Sequence, residues 1–173
     1  MDEIIKRALI DESAMSQLLE ELEPFVFRLS YHLTRHQQDA EDIAQDVLYK
    51  ICTKLNMFRG DSSLQTWVYS LVINTHRDFL RKKKLRTHDE LPETLSAGGG
   101  SFEDEADTRI ILNRLLQDLP EVDRHILVLR FQNDLTVREV AEIMNISESN
   151  VKTRVFRLKD RLRGLFYKGG EVL

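Results

Sequence analysis

Residues 136–162, TVREVAEIMNISESNVKTRVFRLKDRL, decide the fold of the second half of the chain. Thr136 followed three residues later by Glu139 is a capping-box signature for a helix start. Val137, Val140, Ala141 and Met144 then recur at helical spacing and predict its inner face. At Asn145 the chain must turn, and asparagine tolerates the left-handed conformation that ends a helix. Ser147 is a suitable N-cap for the next helix. A helix, a short turn and a second helix make a helix-turn-helix. In the second helix Val151, Val155, Leu158, Leu162 and Leu165 form one inward seam. Opposite it lie Ser149, Lys152, Thr153, Phe156 and Arg157, flanked by Asn150 and Arg154. A large apolar ring among bases and hydroxyls is costly in water but suits a major groove, where it can touch a thymine methyl while Arg or Lys reads guanine. These seven residues are the candidate contacts to duplex DNA. A helical hairpin that merely packs is the plainer reading, and the mixed face argues against it.

Upstream, Leu119-Pro120 predicts the start of a helix running to about Phe131, because proline is favoured in a first turn. Further out, the 173 residues fit one ordinary domain or two small ones. Three prolines, seven glycines and long stretches at helical period predict an all-α fold. The single Cys52 excludes an internal disulfide framework and fits a reducing cytoplasm. No apolar run approaches the length of a signal peptide or membrane span, so the chain is expected to insert in no membrane of its own.

Charge is segregated, and that says more than the net value of −4. Residues 77–86 hold six bases and one acid, residues 88–107 hold seven acids and neither Lys nor Arg, and residues 150–168 hold seven bases and one acid. The acidic stretch also carries Pro92 and Ser96-Ala97-Gly98-Gly99-Gly100-Ser101 and keeps no period. The expected organisation is therefore a helical unit at 1–84, a flexible acidic linker at 85–107 and a smaller helical unit at 108–173.

In the first unit, residues 39–51, DAEDIAQDVLYKI, put Ala40, Ile43, Ala44, Val47, Leu48 and Ile51 on one wide face. Asp39 is the expected N-cap, and Asp42 and Asp46 share the polar side with Glu41, Gln45 and Tyr49. Residues 58–84, FRGDSSLQTWVYSLVINTHRDFLRKKK, break at Gly60 and Ser62-Ser63 and restart as a helix. Along it Ser70, Asn74, Arg77, Arg81 and Lys84 form a polar, basic stripe. Bases with aromatics nearby suit single-stranded nucleic acid. Trp67 is better read as a core anchor, whereas Phe58, in the loop before Gly60, is expected outside the core and free to stack on a base.

These three motifs together resemble an extracytoplasmic-function (ECF) sigma factor of the sigma-70 family, a promoter-specificity subunit of bacterial RNA polymerase. The resemblance runs in order over nearly the whole chain and implies a sigma-two unit, a linker and a sigma-four unit. It implies that Glu41, Asp42, Gln45, Asp46 and Tyr49 bind the clamp helices of the largest polymerase subunit. Phe58, Arg59, Gly60, Asp61 and Ser62 match the loop that takes a flipped base of the −10 element, with Asn74, Arg77 and Arg81 beside it. Ser149, Asn150, Lys152, Thr153, Arg154, Phe156 and Arg157 match the readers of the −35 element. The linker matches a segment that threads toward the polymerase active centre. Implied partners are core RNA polymerase, including its flap region, and promoter DNA; an anti-sigma factor is admitted, though no residue identifies one. The implied location is cytoplasmic. The chain departs from the family's common residues at Leu64-Gln65, Asn145 and Ser149-Asn150.

The rival reading is an autonomous helix-turn-helix regulator binding duplex operators as a dimer. It leaves FRGDSSLQTW and DAEDIAQDV unexplained. An enzyme is not expected: no Gly-rich phosphate loop or nucleophile–base pair is visible, and no cofactor is implied. His32 and His36 stand at metal-ligand spacing, but no third ligand is evident, and a solvated helix face is the better reading.

Overall fold

The computed structural model describes residues 3–87 and 119–168, all of whose regular structure is helical. The chain divides into two compact units, Met1–Ser96 and Ala97–Leu173. The acidic linker expected at 85–107 lies outside the described residues from residue 88 onward.

The first unit contains α1 (Glu3–Ala8), α2 (Glu12–Thr34), α3 (Gln37–Lys54), a single 3₁₀ turn (Leu55–Met57) and α4 (Leu64–Thr87). Asp11 caps α2 by accepting the Ser13 N–H at 2.9 Å. The helix runs through Pro24, which forfeits the bond its own N–H would have given to the Glu20 carbonyl. It stops at Arg35, held in the left-handed region at φ 56° with its N–H on the Tyr31 carbonyl at 2.8 Å. Burial of Val26, Leu29 and Leu33 against α3 and of Leu18 against α1 makes this long helix the backbone of the unit. From α3, Ala40, Ile43, Ala44, Val47 and Ile51 are buried as the apolar spacing predicts, and Leu48 is half-buried.

The cap of α3 differs from the sequence expectation. His36 is the N-cap, its Nδ1 accepting the Asp39 N–H at 3.3 Å, so Asp39 sits in the first turn instead. The Asp39 carboxylate is thereby free to reach across to Lys83 of α4 at 2.9 Å. Ser63 starts α4, its Oγ accepting the Thr66 N–H at 3.0 Å. The helix continues to Thr87, past the boundary expected at 84, through leucine and cations that suit a last turn. It buries Val68, Tyr69, Val72, Ile73, Thr75 and His76, because it packs against both α2 and α3. Tyr69 meets Phe25 edge-on at 4.9 Å, and Lys50 of α3 donates to Thr75 of α4 at 2.9 Å.

The second unit contains α5 (Glu121–Leu127), which continues as a π turn (Val128–Gln132), then α6 (Val137–Met144) and α7 (Glu148–Lys168). Pro120, with ψ 144°, is the cap residue of α5, one position earlier than a first-turn proline would be. The widened turn leaves carbonyls that other groups take up: the Asn133 amide donates to Val128 at 3.0 Å and the Leu135 N–H to Leu129 at 3.2 Å. Both halves of the capping box form, with Glu139 N–H to Thr136 Oγ1 at 3.2 Å and Thr136 N–H to the Glu139 carboxylate at 2.7 Å. The Thr136 hydroxyl, which donates to the Glu139 carboxylate at 2.7 Å, and then the Thr136 N–H hold that carboxyl below its ordinary pKa. Asn145 takes the left-handed conformation at φ 53°, and the Ile146 N–H closes back on the Ala141 carbonyl at 3.0 Å. Ser147 then caps α7 through the Asn150 N–H at 3.2 Å. Ile126, Val128, Leu129, Val140, Ile143, Met144, Val151 and Leu158 fill the core, with Val155 half-buried; the side chains of Leu162 and Leu165 lie outside the described residues.

Candidate nucleic-acid and polymerase interfaces

In the second unit α7 buries one line of side chains against α5 and α6 and leaves the rest of its first turns open. Ser149, Asn150, Lys152, Thr153, Phe156 and Arg157 are all exposed, as their phase opposite Val151 and Leu158 requires. Phe156 is 66% exposed, an apolar ring held in water between cations. Thr153 bonds back to the Ser149 carbonyl at 2.9 Å, and Lys152 lies 3.7 Å from Glu148. Arg157 has no ion-pair partner among the described residues. Arg154 behaves differently: its guanidinium turns inward to the Asp123 carboxylate at 2.6 Å and donates through Nε to Asn150 Oδ1 at 2.8 Å. Sequence reading missed Asp123, because it lies 31 positions from Arg154 and only the fold brings them together.

In the first unit Glu41, Asp42, Gln45, Asp46 and Tyr49 are all exposed on α3, opposite its buried face. Glu41 accepts from Gln37 at 2.9 Å, while Tyr49 stands 71% exposed. Asp39, which shares their polar side in the sequence, is instead turned toward Lys83, so the outward acidic surface is centred on Asp42 and Asp46. Asp46 also lines a shallow cleft between α3 and α4 with Lys50, Thr75, Asp78, Phe79, Arg81 and Lys82. On α4, Asn74 and Arg81 are exposed and Arg77 is half-buried. Arg77 donates to Asn74 Oδ1 at 3.5 Å, and Arg81 lies 3.4 Å from Asp78.

The loop before α4 corrects one expectation. Phe58 is 7% exposed and belongs to a core cluster with Ile5, Ala8, Leu18 and Leu55. Its ring centroid lies 5.5 Å from that of Trp67. The physical reason is the 3₁₀ turn, where the Phe58 N–H bonds the Leu55 carbonyl at 3.1 Å and swings the ring under α1. Phe58 therefore anchors the loop and offers no free face to a base. Arg59, Gly60 and Asp61 are exposed and Ser62 is half-buried. Gly60 sits at φ 76° with open space where a Cβ would project, so its backbone conformation, not crowding, calls for glycine.

His32 and His36 do not converge on a common site: His36 Nδ1 is engaged in capping α3. Burial, and then the Arg35 and Arg28 cations, lower the pKa of His32. Among the described residues no group of three His, Cys, Asp or Glu could hold a metal ion. No helix among them is long and apolar enough to cross a membrane.

Comparison with known proteins covers both units. The Sigma-70 region 2 profile matches residues 18–86, and the Sigma-70 region 4 profile matches residues 109–162. The chain is 34% identical over 139 residues to RNA polymerase sigma factor SigV of Bacillus subtilis, covering 79% of this chain and 81% of that protein. It is 26% identical over 166 residues to the ECF RNA polymerase sigma factor SigW of the same organism, covering 88% and 89%. The sigma factor RpoE of Bartonella quintana, solved in complex with the anti-sigma factor NepR, shares the fold with a TM-score of 0.70 at 23% identity, covering 88% of this chain and 96% of that one. The region 2 match explains the N-terminal unit that an autonomous regulator left without a role. Sigma factors are non-catalytic subunits that direct promoter-specific transcription initiation by RNA polymerase, and this chain belongs to the ECF group of the sigma-70 family.

Proposed function

We propose that the two units divide promoter recognition between them, the first docking on core RNA polymerase and capturing the −10 strand, the second reading the −35 element. The observation that carries this is α7: a solvent-held Phe156 flanked by the exposed Lys152 and Arg157 on a helix fixed from behind by Val151 and Leu158. Water gives that ring no stabilisation, whereas a thymine methyl does, and Arg157 has the fork geometry for guanine. Ser149, Asn150 and Thr153 complete the surface, with Arg154 held behind them on Asp123. Glu41, Asp42, Gln45, Asp46 and Tyr49 form the proposed contact to the polymerase clamp helices, with the flap region as a second contact of the chain. The exposed Arg59, Gly60 and Asp61 with the half-buried Ser62, and the polar edge of Asn74, Arg77 and Arg81, form the proposed −10 site, with Phe58 beneath as its anchor. Unstacking a base costs a few kcal/mol. Pocket contacts and phosphate neutralisation offset that cost.

The proposed functional boundaries remain 1–84 and 108–173, with the acidic linker between them. The chain is proposed to work in the cytoplasm, and an anti-sigma factor is a proposed partner, since the Bartonella quintana protein was solved in complex with the anti-sigma factor NepR.

Run-off transcription tests the reading. The chain with core polymerase should initiate at specific promoters, and the chain alone should bind duplex DNA weakly. Reversing Asp42 and Asp46 to Lys should weaken core binding with the circular dichroism unchanged. Tight sequence-specific binding by the free chain, or unaltered core affinity in the double reversal, would contradict it.

A further inference from the structure

We propose that Asp123 is a positioning residue for base readout: through Arg154 it fixes the Asn150 amide and biases it toward donating to DNA. The inference rests on the reading of α7 as the −35 recognition helix and goes one step beyond it, to which edge of a base Asn150 can accept.

Three observations carry it. Asp123 and Arg154 join α5 to α7 at 2.6 Å, with side chains only 20% and 33% exposed, so this pair is shielded more than the other ion pairs along α7. The Arg154 Nε donates to Asn150 Oδ1 at 2.8 Å, and only the amide oxygen can accept that bond. Asn150 itself is exposed, in the first turn of α7, with its backbone N–H already committed to Ser147. The Arg154 bond therefore takes one of the two lone pairs of the Asn150 oxygen and fixes how the amide is turned, with its NH₂ group able to meet the ligand.

The chemical consequence is specific. An unrestrained asparagine recognises adenine with both ends of its amide, accepting from N6 and donating to N7. An asparagine whose oxygen already serves Arg154 has one acceptor position left and a fixed amide plane, which weakens its grip on adenine N6 or cytosine N4 relative to donation to guanine O6 and N7, thymine O4 or a phosphate. Asp123 makes no contact with DNA in this scheme. Its carboxylate holds the guanidinium, and the guanidinium holds the amide.

The test uses the full chain assembled with core polymerase on promoters randomised through the −35 element. Asp123→Asn removes the charge but keeps the shape. It should shift preference toward adenine by about five-fold or more, the lower bound for one good base contact, at a single position. That position should be the one where Asn150→Ala erases preference. Arg154→Ala should produce the same shift, and Asp123→Asn added to it should change nothing further. This second route keeps the test decisive if Asp123→Asn folds poorly. A loss shared equally by all promoters, with the preference intact, would overturn the proposal and leave Asp123 a structural tie. If Asn150→Ala, Phe156→Ala and Arg157→Ala all leave every −35 preference unchanged, the recognition-helix reading itself fails, and the proposal with it.

Discussion

α4 and α7 are the two long basic helices of the molecule, of 24 and 21 residues, and they use similar side chains for opposite purposes. Each mixes Arg, Lys and large aromatics. α4 packs against α2 and α3 together, so its aromatics are drawn inward: Tyr69 is buried, and Trp67 is half-buried against Phe58. Lys83 of α4 is also engaged, with Asp39 of α3, as Arg154 of α7 is with Asp123. Among the described residues α7 packs against α5 and α6, and Phe156 and Arg157 stay in water. The difference teaches that bases beside aromatics do not by themselves mark a nucleic-acid surface. What matters is how many sides of the helix the fold encloses.

The largest expected effect falls on the enclosed side. Phe58→Ala should destabilise the first unit by about 3–5 kcal/mol, the usual loss for a deleted core ring. Trp67 is the chain's sole tryptophan and packs on Phe58, so its fluorescence should report the earlier melt directly. Phe156→Ala, at the open site, should leave stability within about 0.5 kcal/mol while weakening promoter binding. Equal melting losses in the two variants would dissolve the distinction between the helices.

Next comes readout. Arg157→Ala should cost about 1–3 kcal/mol at one base position and relax preference there. Lys152→Ala, if it touches phosphate alone, should weaken all promoters alike and flatten the salt dependence. Competition binding of the holoenzyme against single-base promoter variants separates these outcomes, and a uniform loss for both would deny Arg157 a base.

Gly60→Ala should cost about 1–2 kcal/mol, the penalty for placing a Cβ on a left-handed residue. Because nothing crowds the site, the loss should come from the backbone alone, and hydrogen exchange should quicken in the 58–63 loop before the α3 core. No change in either measurement would mean that the loop relaxes at no cost.

The smallest effect concerns the capping box that starts the helix-turn-helix. Thr136→Ala should cost about 1 kcal/mol. The sign of its pH dependence follows from Glu139, whose carboxyl is held below its ordinary pKa by hydrogen bonds from Thr136. A depressed folded-state pKa gives stability that is present above the ordinary glutamate value and lost as pH falls through the lower, folded value. Acid titration of the wild type should show this loss in the second unit, and Thr136→Ala, which removes the hydroxyl but keeps the backbone N–H, should reduce it. An identical acid profile in the variant would assign the loss elsewhere.

Local chemistry in the sequence determined much of this. The helix-turn-helix was legible because each of its signals acts within a few residues: the Thr136–Glu139 box, the left-handed Asn145, the Ser147 cap and the spacing of Val151 and Leu158. The exposed faces of α3 and α7 followed from phase, since a buried stripe fixes what lies opposite. What the sequence left open was decided by contacts between distant residues. His36 caps α3 while Asp39 reaches Lys83, 44 positions away. Phe58 is carried under α1 by the 3₁₀ turn, against the expectation of a free loop aromatic. Arg154 is turned from the open face by Asp123. Periodicity assigns a side chain to one face of its own helix, but only the neighbouring elements decide whether that face meets water, a core or a countercharge.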